Sequence, residues 1–210
     1  MPRPKSNLEE LLLTRAAEII ATEGLDALSL RELARRAGVS RAAPYHYFTD
    51  KAELVARVGA LGFHRLGAHI AAATSASASP VAQLRAGLLA YIEFAHAEPH
   101  FFQLMFSRAL QRGEQHEGGD DALSRLAFSS TAARTAFATL VEGVRSAQVQ
   151  GVLPGDDPML LVNVFWAYTH GVAVLSRDAH LKHEGGTNAV FDAGFDALAE
   201  HYRRAASRRR

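Results

Sequence analysis

The sequence predicts an all-α protein of about nine helices. Apolar residues recur at helical spacing along most of the chain, the strict alternation expected of strands is nearly absent, and capping residues stand at the starts of the apolar stretches. With 210 residues, 22.7 kDa and 48% hydrophobic composition, the chain is large enough for one large or two small packed cores.

Ser6 and Glu9 form a capping box at the start of the first helix, whose face of Leu8, Leu11, Leu12, Ala16, Ile19 and Ile20 runs to Gly24. Ser29 and Glu32 cap a second, with Leu30, Leu33, Ala34 and Ala37 on one side and Gly38 at its end. Ser40 is placed to cap a third helix through Phe48. Asp50 with Glu53 caps a fourth, which carries Leu54, Val58, Leu61 and Leu66 toward the low-complexity stretch ATSASAS. Ser79 and Pro80 open a helix to about Ala97; Pro99 ends it before another containing HFFQLMF. The glycine-rich QRGEQHEGGDD precedes a long helix through Val149. Asp157 and Pro158 start the next, containing FWAYTHGVAVL, and Thr187 opens the last.

These elements group into an N-terminal unit over residues 1–50 and a larger helical unit over residues 51–210, with the fourth helix joining them. The net charge of +1 requires any affinity for nucleic acid to come from clustered charge: Arg3 with Lys5, Arg31 with Arg35 and Arg36, and the tail from Arg203 to Arg210. The absence of cysteine excludes disulfides and thiolate zinc sites and fits a reducing compartment. No secretion signal is read, and no apolar run approaches the roughly eighteen residues of a membrane span, so a cytoplasmic protein without a membrane partner is expected.

The stretch SLRELARRAGVSRAAPYHYFTDKAEL has the form of a helix-turn-helix. Gly38 supplies a positive backbone angle, Val39 plugs the turn, and Ser40 caps the second helix, leaving Arg41, Ala42, Tyr45 and His46 as candidates to face a major groove. Arg41 suits a bidentate pair to guanine, Ala42 or Ala43 a thymine methyl, and Lys51 at a helix start a phosphate; Arg31 joins from the bracing helix. Arg35 and Arg36 read as solvated surface charges. Arg3 and Lys5 read either as a groove-reaching arm or as a tail. Pro44 forfeits one intrahelical hydrogen bond and biases Ala43 away from the α region, which predicts a distorted first turn; the alternative is a short helix that starts one turn later.

From residue 8 to about 58 the chain resembles the DNA-binding domain of TetR-family transcriptional regulators. The resemblance is carried by LARRAGVS, by the aromatic run Tyr45, His46, Tyr47, Phe48, and by Lys51 at the start of the fourth helix. The family usually has a larger apolar residue at Pro44 and often Thr at Ala43; Ala-Pro-Tyr variants resemble one branch of it. The resemblance implies that Arg41, Ala42 and Tyr45 touch bases or sugar edges while Tyr47 and Lys51 hold phosphates. Trp166, His170 and Gly171 resemble the Trp-His-Gly signature of a C-terminal domain found in part of the family.

Specific binding through one small recognition element usually takes two half-sites, and so a dimer. Leu161, Phe165, Tyr168 and Val172 on one of the last two helices, and Phe191, Phe195 and Leu198 on the other, supply apolar faces; the resemblance implies a four-helix dimer interface, the alternative being that they close the subunit's own core. Trp166 and His170 share a helical face, and with Phe94, Phe102, Met105, Phe106 and Phe137 they suit a pocket for a small hydrophobic or aromatic effector, ordinary core packing being the alternative. His96 with His100 and His180 with His183 lack an accompanying acidic ligand, so no metal is expected. No nucleophile elbow, phosphate loop or acid/base set points to an enzyme or a cofactor. The expected function is a one-component regulator, a repressor that binds a palindromic operator as a homodimer until an effector releases it; the alternative is a ligand- or metal-binding helical protein without specific DNA binding.

Overall fold

The computed structural model describes residues 5–75, 79–107, 131–154 and 157–207, which form eight α-helices, two 3-10 turns and no strand. The helices are α1 (Lys5–Glu23), α2 (Leu30–Ala37), α3 (Lys51–Thr74), α4 (Pro80–Ala97), α5 (Pro99–Met105), α6 (Thr131–Val149), α7 (Pro158–Arg177) and α8 (Gly186–Ser207). The 3-10 turns are Leu25–Ala27 and Ala43–His46. The glycine-rich QRGEQHEGGDD and Arg3 lie outside the described residues.

Most predicted boundaries hold to within a residue because their caps are local. The Ser29 hydroxyl accepts the Glu32 N–H at 3.1 Å, Asp50 accepts that of Glu53 at 2.8 Å, and Asp157 accepts that of Met159 at 2.9 Å. Pro80, Pro99 and Pro158 each stand first in a helix, where a missing N–H costs nothing. At the first helix the expected cap is displaced: α1 begins at Lys5, ahead of Ser6, and Glu9 pairs with Arg57 on α3.

The third predicted helix is corrected. Within residues 40–48 there is a 3-10 turn over Ala43–His46 rather than an α-helix, and the turn carries no side-chain cap in place of the one expected from Ser40. Pro44 has no N–H to offer the Ser40 carbonyl, so that carbonyl takes the Ala43 N–H at 3.0 Å; Tyr45 then bonds to Ala42 at 3.1 Å. The tighter i to i+3 pattern carries through to the Pro44 carbonyl, which accepts from both Tyr47 and Phe48.

The helices fall into two compact units. The first holds the described residues up to Arg65 and from Glu98 to Arg134; the second holds Leu66–Ala97 and the residues from Thr135 on. In the first, α1 packs on α2 and α5, and Leu12, Ala16, Leu33, Phe48, Leu54, Phe101 and Met105 are buried. Gly62 lets α5 close on α3, since a Cβ there would stand 2.8 Å from the Met105 sulfur. In the second, α4 packs on α7 and α7 on α8, around Leu88, Ile92, Leu161, Phe165, Phe191 and Phe195.

The expectation that nothing in the chain is long and apolar enough to cross a membrane is also corrected: α7 has 20 residues with a mean hydropathy of 1.4 in its most apolar window. Leu161, Val162, Phe165, Val172 and Ala173 are buried in the second unit and account for part of that apolarity, while Leu160 and Leu175 stay exposed.

Candidate functional site

The corner after α2 is built by its last residues. Gly38 adopts the left-handed conformation at φ 66°, ψ 34°, and the Val39 N–H returns to the Ala34 carbonyl at 3.1 Å, closing the helix end. Arg35 and Arg36 are exposed, as expected of surface charges, and both are paired. Arg35 forks onto Glu32 at 2.6 and 2.9 Å, and Arg36 reaches Glu32 at 2.7 Å and Glu23 of α1 at 2.7 Å. These bonds, from Arg35 first and Arg36 second, hold the Glu32 carboxyl at about 2, well below its ordinary 4.5.

Beyond the corner the turn presents one side to solvent. Arg41, Ala42 and His46 are exposed and Tyr45 is 60% exposed, while Pro44 and Phe48 are buried. Ala43 and Tyr47 are half-buried, Ser40 is exposed, and Arg31 is exposed on α2. Lys51 is the first residue of α3, half-buried at the end of the helix where backbone N–H groups are unpaired. The sequence-predicted interface thus lies on three consecutive elements of the first unit.

Arg57, which sequence reasoning did not single out, ties this region together. It donates to the Tyr47 carbonyl at 2.9 Å, pairs with Glu9 of α1, and stands 5.2 Å from the centre of the Phe48 ring. Glu53 on the same helix accepts the Thr49 N–H at 2.7 Å and its hydroxyl at 2.8 Å, and these bonds lower its pKa.

In the second unit Tyr91 of α4 is 2.8 Å from Nδ1 of His170, and the Trp166 indole N–H donates to the same phenol. Burial raises the Tyr91 pKa and keeps the phenol protonated. It lowers that of His170, with Arg177 adding to the effect. In the neutral tautomer with its proton on Nε2, His170 accepts a hydrogen bond from the Tyr91 hydroxyl at Nδ1. Phe137 of α6 meets Trp166 edge to face at 6.4 Å, and Trp166 lies 5.6 Å from His170. The Thr169 hydroxyl on α7 is buried and has no hydrogen-bond partner among the described residues.

The predicted effector residues divide. Phe137, Trp166 and His170 come together around Tyr91, which the prediction omitted. Phe94 is buried in the same unit with His69 as a ring neighbour at 6.4 Å. Phe102, Met105 and Phe106 lie in the first unit instead, with the Phe106 ring 5.1 Å from that of Phe102 and 6.1 Å from that of Phe63. A separate surface hollow is lined by Ile92, Glu93, His96, Ala97, Thr187 and Asn188. His96 bonds to the Ser176 hydroxyl at 2.8 Å, and among the described residues no three His, Asp or Glu side chains lie together as a metal site.

Of the predicted dimer residues, Leu161, Phe165, Val172, Phe191 and Phe195 are buried within one chain, and Phe165 and Phe195 rings pack at 5.7 Å. Tyr168 and Leu198 are half-buried. The Tyr168 hydroxyl donates into α8, to the carbonyls of Val190 at 2.6 Å and Phe191 at 3.0 Å. Leu160 and Leu175 remain 54% and 43% exposed on the other side of α7.

A braced, glycine-cornered helix-turn-helix followed by a helical unit with a buried polar cluster defines a helix-turn-helix regulator. Residues 12–58 match the family described as bacterial regulatory proteins, tetR family, and residues 84–198 match the tetracyclin repressor-like C-terminal domain. The chain therefore belongs to the TetR family. It is similar to a structure from Rhodococcus sp. RHA1 described as a protein with unknown function, at 31% identity and a TM-score of 0.74 over 93% of this chain and 95% of that one. A TetR family transcription regulator from Marinobacter aquaeolei VT8 shares the fold at 17% identity and a TM-score of 0.69, over 91% and 95% of the two chains. The TetR family transcriptional regulator PfmR from Thermus thermophilus does so at 23% and 0.66, over 90% and 97%. No curated protein matches.

Proposed function

We propose that the protein is a homodimeric one-component repressor of the bacterial cytoplasm that binds a palindromic operator and is released by a small hydrophobic or aromatic effector. The observation that carries this is the exposed row Arg41, Ala42, Tyr45 and His46 on a turn whose other side, Pro44 and Phe48, is buried. Such an element offers base-reading groups on a rigid footing. Arg41, Ala42 and Tyr45 read bases, with His46, Ala43 and Arg31 beside them, while Ser40, Tyr47 and Lys51 hold the backbone.

Two half-sites call for a dimer. The face we assign to it is the outer side of α7 and α8: Leu160, Ala167 and Leu175 on one, Ala193 and Ala197 on the other, all exposed in the single chain. The effector reading rests on Phe137, Trp166 and His170 with Tyr91, an aromatic group carrying a few polar atoms. An effector that prefers the dimer form with mis-spaced recognition turns lowers DNA affinity by the factor through which DNA lowers its own. Helix α3 belongs to both units and is the link through which we place that coupling.

The experiment is selection: the purified protein is incubated with fragmented genomic DNA, and what stays bound at moderate salt is sequenced. An enriched inverted repeat supports the reading. Binding that fades with salt and enriches nothing refutes it in favour of a helical ligand-binding protein without specific DNA affinity.

A further inference from the structure

We propose that Arg57 is a positioning residue for DNA recognition, setting the angle at which the 3-10 turn presents Arg41, Ala42 and Tyr45. The inference rests on the DNA-binding reading above and extends it to a residue whose contacts are all within the protein's own first unit.

A four-residue 3-10 turn is weakly held by its own bonds, because i to i+3 geometry is poor and the last carbonyls have no partner within the turn. Its orientation must come from outside. One guanidinium supplies this from α3. Its Nη1 donates to the Tyr47 carbonyl at 2.9 Å and stands 3.7 Å from Glu53, its Nη2 bonds Glu9 of α1, and its Cζ lies 5.2 Å from the Phe48 ring centre. Phe48 is 1% exposed, so the ring is itself fixed in the core of the unit. Three elements therefore meet on one side chain: α1, the end of the recognition turn and α3.

The charges argue against the simpler role of a phosphate contact. Arg57 faces two carboxylates, Glu9 and Glu53, so its charge is already balanced within the protein. The planar fork matters, since a lysine cannot span the Tyr47 carbonyl and Glu9 together.

The full-length protein and its Arg57→Met, Arg57→Lys and Glu9→Gln variants would be titrated by fluorescence anisotropy against the selected operator and a random duplex of the same length, over a range of salt. Thermal melting of each variant shows whether it is folded. A mis-set turn loses one base contact or more, so Arg57→Met and Arg57→Lys are expected to weaken operator binding by about ten- to a hundredfold. Glu9→Gln shifts it the same way by less, while affinity for random DNA and the salt slope stay as in the wild type. Folded variants that keep the wild-type ratio of operator to random affinity overturn the proposal. So does a salt slope that falls by about one unit in Arg57→Met, the mark of a direct phosphate contact. If Arg57→Met does not fold, the other two variants decide. A wild type without sequence preference sinks the DNA-binding reading and this proposal together, whereas discriminating variants sink this proposal alone.

Discussion

Replacing Gly194 by alanine would put a methyl group 2.2 Å from both Cζ and Oη of Tyr168 and 2.5 Å from its Cε2. The ring of Tyr168 lies close against α8 at this point, and its hydroxyl is bonded to the Val190 and Phe191 carbonyls. Since the obstruction is the ring itself, the tyrosine must swing away from α8. Overpacking of this kind costs about 1–3 kcal/mol, and loss of the hydroxyl's hydrogen bonding about another 1 kcal/mol. Against this, alanine is a better helix former than glycine by about 1 kcal/mol. The net expectation is a loss of about 1–3 kcal/mol, a drop in Tm of roughly 2–12 °C for a chain of this size. The assay is thermal and urea unfolding at one fixed protein concentration, because the stability of the proposed dimer would depend on it. In a Tyr168→Ala background the slot is empty, and Gly194→Ala should then be neutral or stabilising by up to about 1 kcal/mol. If Gly194→Ala has the same effect in both backgrounds, or stabilises the wild type, the close fit of Tyr168 on Gly194 is not what holds α7 to α8.

Other expectations follow from the two units. Arg41→Ala should lower affinity mainly for the operator, whereas Lys51→Ala should weaken binding to all sequences and reduce the salt slope by about one unit; equal losses for Arg41→Ala on operator and random DNA would refute its base-reading role. Burial lowers the His170 pKa below its ordinary 6.5, so the unfolded chain takes up this proton first as pH falls. The stability held by its neutral form is present above about 6.5 and is lost on acidification, and His170→Gln should show a shallower loss between pH 7 and 5 in urea unfolding; identical slopes would contradict this. Glutamate at Leu160 or Leu175 should shift the protein from dimer to monomer by sedimentation while leaving the helical circular dichroism unchanged, and an unshifted dimer in both variants would remove α7 from the interface.

Helix starts and stops were legible in the sequence because a cap involves groups no more than four residues apart. Ser29 with Glu32, Gly38, Asp50 with Glu53, and Asp157 with Pro158 act where they stand, whatever the rest of the chain does. The same locality made the helix-turn-helix readable, and with it the exposed row on its turn. Pro44 showed that the third element would be distorted, and the missing N–H that leaves the Ser40 carbonyl to Ala43 is a local cause; what the sequence did not show is that Pro44 and Phe48 are buried on one side of the turn. Periodicity showed that Phe102, Phe137, Phe165 and Phe191 belong to apolar faces, yet a period carries no address for the partner. Only the tertiary structure put Phe102 in one unit and Phe137 in the other, and turned Phe165 and Phe191 inward while Leu160 stayed outside. The Arg57 to Glu9 pair spans 48 positions and the Tyr91 to His170 bond 79, and a polar side chain at that remove looks in sequence like any other solvated or buried residue. What the sequence determined by itself was therefore the string of helices and the recognition corner. Packing decided which side chains meet, because those contacts join residues brought together only after the helices have formed and docked.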